Sequence, residues 1–131
     1  MLPDESFPGG EPPMIGSYRD LDIWIVSMDM VDEVLRRVKS LPRDEFDLKR
    51  QIKGAAISIP SNVAEGWCRK DRQQAYQNHI SIAMGSGGEL DTELEVCFRN
   101  NLLRREDCKE ITQLLGRVRP MLRRLHDSLD R

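Results

Sequence analysis

Residues 51–66, QIKGAAISIPSNVAEG, limit the possible folds of this chain more than any other stretch. The surrounding pattern is helical, yet the segment holds Pro60, two glycines and several alanines and serines. A helix interior loses about 1 kcal/mol per Gly and about 3 kcal/mol per Pro relative to Ala. A second small-residue patch, Gly85-Ser86-Gly87-Gly88, lies inside the longest heptad pattern of the sequence. Small residues in the middle of two helices suggest that those helices approach each other closely.

The remaining periodicity gives four helices. The first is expected from about Asp20 to Lys39, ended by Ser40-Leu41-Pro42. At about 100° per residue its apolar positions form two adjacent stripes, one through Leu21, Trp24, Met28, Val31, Leu35 and Val38, the other through Ile23, Val26, Met30 and Val34. Together they cover roughly 200°, about twice what a one-sided surface helix needs. Partners on two sides are therefore expected, one of them from another chain, with Ile23, Trp24, Val26, Met30 and Val34 as candidate subunit contacts. The second helix is expected from Asp44 or Glu45 to about Trp67, irregular at Pro60 because proline removes an amide donor. The third, capped by Asp71, carries Tyr76, Ile80, Ala83, Gly87, Leu90, Leu94 and Cys97 at alternating spacings of four and three, a coiled-coil-like seam. The fourth, from about Glu106 to Ser128, contains Pro120. No alternating strand pattern competes, so the expected class is all-α, an antiparallel up-and-down four-helix bundle over 18–131. Residues 1–17, with four prolines and three glycines, read as a disordered or loosely attached tail.

Charged residues make up 32% of the chain and its net charge is -2, which argues against a generally basic nucleic-acid binder. No apolar run reaches the about 20 residues of a membrane span, and the three separated cysteines read as reduced thiols, so a cytoplasmic location is expected.

From 85 to 88 the glycines lack the Lys-Ser/Thr and preceding strand of a phosphate loop, and Glu89, Asp91, Glu93 and Glu95 follow. Neither His79 nor His126 has a Glu three residues before it, as ferritin-like metal bundles require. No Ser or Cys has the context of a nucleophile, so no catalytic, metal or cofactor site is expected and the chain reads as non-enzymatic. Ser58, Asn62 and Glu65 share one face of the second helix, Ser86 and Glu89 one face of the third; the five are expected to form a buried polar network between them. Basic residues Arg36, Arg37, Lys49, Arg50 and Lys53, with Arg117, Arg123 and Arg124 late in the fourth helix, are the candidate nucleic-acid contacts.

Tyr18-Arg19-Asp20-Leu21 with Trp24, then Leu48, Gln51, Ala55 and the run Ser58 to Gly66, then Gly85-Ser86, Glu89-Leu90 and Leu94 together resemble the family named after the 23S ribosomal RNA intervening sequence. The resemblance implies a four-helix bundle, a ring-like homopentamer and a scaffold or adaptor role. That family is similar to accessory proteins of diversity-generating retroelements, which bind a reverse transcriptase and RNA or DNA; this gives an alternative role. The proline-rich extension, Gly88, Pro120 and Arg104 depart from the family pattern.

Overall fold

The computed structural model describes residues 16–130, and the expected tail lies outside them except for Gly16 and Ser17. Four helices run in the order α1 (Asp22–Val38), α2 (Phe46–Cys68), α3 (Gln73–Arg99) and α4 (Lys109–Ser128). No strand occurs among the described residues, and α2 packs on α1 and α3 while α4 closes the bundle against both. This is the expected antiparallel bundle.

Before α1, a 3-10 turn (Tyr18–Asp20) is capped by Ser17, whose Oγ accepts from the Arg19 amide at 3.1 Å. The Tyr18 and Trp24 rings lie 5.5 Å apart, with the Arg19 guanidinium 5.2 Å from the Trp24 ring. Asp71 does not cap α3: Arg72 occupies that position without a side-chain bond. The α3 end uses a device that the sequence reading missed. Asn101 takes a left-handed φ of 59°, and the Leu102 amide returns to the Cys97 carbonyl at 2.9 Å while Asn101 reaches Phe98 at 3.3 Å. That Schellman pattern satisfies two terminal carbonyls, and Asn tolerates the left-handed conformation. A second 3-10 turn (Arg105–Cys108) leads into α4.

All seven residues of the α3 seam are buried, and α2 contributes Ile52, Ala55, Ala56, Ile59 and Val63 to the same core. Pro60 is buried within an unbroken α2, and Pro120 is exposed within an unbroken α4.

Two expectations are corrected by this packing. Ile23, Val26, Met30 and Val34, expected at a subunit contact, lie in the single chain's own core, Met30 and Val34 with no exposed surface. The broad apolar arc of α1 is filled from within the chain, by α2 on one side and α4 on the other; only Trp24 of the five stays half-buried. Gly87 does not mediate the α2–α3 approach either. A Cβ there would meet the Arg119 side chain of α4 at 3.4 Å.

Candidate functional site

The most developed polar arrangement lies along the seam between α2 and α3. Spacings of four and three bring Ser58, Asn62 and Glu65 onto one α2 flank, and His79 and Ser86, seven apart, onto the facing flank of α3. The Asn62 amide donates to the Ser58 carbonyl at 2.8 Å and to the Ser58 hydroxyl at 3.0 Å. The Ser58 and Ser86 hydroxyls hydrogen-bond each other across the seam at 2.7 Å. The Asn62 carbonyl oxygen faces His79 Nδ1 at 3.0 Å, so the proton belongs on Nδ1. His79 Nε2 lies 3.9 Å from the Glu65 carboxylate, which also accepts from Arg69 at 3.2 Å.

The chain of bonds therefore runs His79, Asn62, Ser58, Ser86, with Glu65 at its open end. His79 was not among the expected members; its spacing of seven from Ser86 was the available signal. Nucleophilic activation requires a base in hydrogen-bond contact with the hydroxyl. Here Asn62 separates the imidazole from both serines, so the arrangement fixes helix register instead.

Glu89 does not join Ser86. It is exposed and lies four residues before Glu93 on α3, so its charge acts on that carboxyl. Glu93 is buried and its Oε1 has no hydrogen-bond partner. Burial first, and then the neighbouring Glu89 carboxylate, raise the Glu93 carboxyl from 4.5 to about 7. The acidic run is thus divided by environment. Glu95 accepts from Arg105 at 2.7 and 3.0 Å and from Arg99 at 3.1 Å, and these bonds lower its carboxyl to about 2. Asp91 lies 3.6 Å from Arg119.

Between α3 and α4 runs a groove of about 390 Å³, lined by Leu94, Phe98, Leu115 and Gly116 together with charged side chains. Arg105 covers the Phe98 ring at 4.9 Å while bound to Glu95.

The eight candidate nucleic-acid contacts do not form one patch. Arg36 and Arg37 end α1 and Lys49, Arg50 and Lys53 begin α2, at one end of the bundle; Arg123 and Arg124 lie near the other. Arg117 and Arg124, seven apart, share a face of α4, and Arg123 lies about 100° from Arg124. Arg36 bonds Glu33 and Arg50 bonds Asp47 at 3.2 Å, while the other six have no ion-pair partner among the described residues.

Among the described residues no three His, Cys, Asp or Glu side chains could hold a metal, and no helix is long and apolar enough to cross a membrane. The three cysteines are free; burial pushes the Cys97 thiol up to about 11 and raises that of Cys108 as well.

Fold and polar seam together define a small all-α bundle whose most specific residues knit α2 to α3. A family model for the 23S rRNA-intervening sequence protein matches residues 19–124, and the chain belongs to that family. A comparison with curated proteins finds no match.

Proposed function

We propose that the protein is a non-enzymatic, self-associating bundle that acts as a scaffold or adaptor for another macromolecule, with a homopentamer as its assembled form. The observation that carries this reading is the apolar surface left over after the core is complete. Ile57 and Ile82 are 43% and 52% exposed on neighbouring helices, beside a seam whose polar groups are largely bonded to one another. A single exposed apolar residue is ordinary and a joined patch is what marks a contact with another macromolecule; the two exposed isoleucines support such a contact. The number five comes from the family resemblance.

Sedimentation velocity of the full chain at micromolar concentration tests the reading. A concentration-dependent species of several subunits is expected; monomer alone overturns it.

The alternative role, as a nucleic-acid-binding accessory protein of a reverse transcriptase, draws on the six basic residues without ion-pair partners. Repetition around a ring would add their weak phosphate contacts together. Binding to RNA or DNA at about 50 mM salt that weakens steeply as salt rises is its expected signature.

A further inference from the structure

The chain carries two surfaces with features that its own packing leaves unexplained. On the outer side of the α2–α3 seam, Ile57, Ile82 and Val96 are each more than two-fifths exposed. The cross-seam contacts from Ser58 to Ser86 and from Asn62 to His79 fix the register, placing Ile82 between them along α3. Gly54 and Gly85 lie in the interiors of α2 and α3, and a Cβ at either would meet nothing within 4 Å. Each glycine costs its helix about 1 kcal/mol relative to Ala, with no close packing inside the chain to require it. Glu89 is exposed here, and neither it nor Glu93 has an ion-pair partner among the described residues.

The exposed edge of α4 that borders the α3–α4 groove has the opposite character. Lys109, Gly116 and Arg123 follow one another at intervals of seven and so form one line, with exposed Pro120 beside it. Gly116 also has nothing within 4 Å of a would-be Cβ. Lys109 and Arg123 have no ion-pair partner among the described residues, while Asp127, at the end of the line, is held by His126 at 3.2 Å.

We propose that the exposed α3 face carrying Ile82, Gly85 and Glu89 in one copy seats on the α4 edge carrying Lys109, Gly116 and Arg123 in a second copy, an apolar and acidic surface against a small-residue and basic one. The proposal rests on the self-association reading and specifies its contact. Bare glycine backbone on both sides permits close approach of helices, and Lys109 or Arg123 supplies the cation that Glu89 lacks in its own chain. Because the two surfaces are different, the contact is head-to-tail, the type that generates rings when the rotation closes and filaments when it does not.

The test uses the full chain with Ile82→Glu, which damages the first face, and Gly116→Leu, which damages the second. Both positions have room, so circular-dichroism melting should show folded proteins, and Arg123→Glu serves as a second α4-face variant. By sedimentation velocity, each variant alone is expected to associate at least tenfold more weakly than wild type. Mixed together, Ile82→Glu and Gly116→Leu should form a one-to-one dimer and stop there, since only one pair of intact faces remains. Wild type found only as monomer overturns the self-association reading and this contact with it. Wild type that assembles while Gly116→Leu and Arg123→Glu assemble equally well, or variants that fail to complement, overturns this contact alone.

Discussion

Gly66 and Tyr76 meet so closely across the α2–α3 connection that a Cβ on Gly66 would stand 2.8 Å from the tyrosine Cδ1 and 3.2 Å from the His79 Cβ. The His79 atom is next to the backbone and cannot swing aside, and burial holds the Tyr76 hydroxyl up at about 12. Gly66→Ala is therefore expected to destabilise the fold. Overpacking costs typically about 1–3 kcal/mol, against about 1 kcal/mol gained in helix propensity. Gly85→Ala, with open space around its Cβ, should instead gain up to about 1 kcal/mol. Urea denaturation of the two variants checks the pair, and equal shifts would contradict this account of α2–α3 packing.

The Ser58–Ser86 bond is expected to behave as a coupled unit. Removing either hydroxyl leaves its partner in a part-buried seam with a bond unmade, at about 1–2 kcal/mol. Removing both should cost less than the sum, with a coupling of at least about 0.5 kcal/mol in a double-mutant cycle. Additive losses would show that the contact contributes nothing to register.

Truncation on α1 separates core from surface. Met30 has no exposed area, so Met30→Ala should cost about 2–5 kcal/mol. Trp24 is half-buried against Tyr18, and Trp24→Ala should cost roughly 2 kcal/mol, below the range for a fully buried aromatic. Chemical denaturation of both variants measures the difference; a larger loss at Trp24 would mean that its ring is covered by something outside the single chain.

What was legible in the sequence was periodicity. The α3 seam from Tyr76 to Cys97 follows from spacing alone, because a 3.6-residue repeat determines which side chains share a face. The width of the α1 apolar arc was equally legible, but width does not say whose surface fills it. In the structure α2 and α4 of the same chain flank Met30 and Val34, an outcome set by tertiary packing that a single-helix projection does not contain. Small residues were read as one class, yet Gly66 packs on Tyr76, Gly87 on Arg119 and Gly85 on nothing in the chain. The Asn101 cap was hidden because Asn is a weaker signal than Gly for a left-handed position. Asp71 was a sound cap by residue type, but the helix begins one residue too late for it to serve.

The Glu89–Glu93 pair predicts an uncommon pH dependence. Burial of Glu93 and the nearby Glu89 charge favour a proton on Glu93, which can then donate to the Glu89 carboxylate, since two ionised carboxylates are acceptors only. The native state holds that proton up to about pH 7, whereas the unfolded chain releases it near the ordinary value of 4.5. Proton binding thus favours the folded form. The contribution is full below pH 4.5 and is lost as pH rises through 7, by about 3 kcal/mol at most. Glu95, lowered by Arg105 and Arg99, acts in the other direction and only in acid: its contribution is present above pH 4.5 and lost as pH falls towards 2. Between pH 5 and 8 the Glu93 effect should therefore be isolated from that of Glu95. Glu93→Gln is neutral at every pH and its amide can donate to the Glu89 carboxylate, reproducing the protonated pair. Urea unfolding at pH 5 and pH 8 should show wild type losing stability over this range while Glu93→Gln loses much less; parallel losses in the two proteins would mean that the pair does not share its proton.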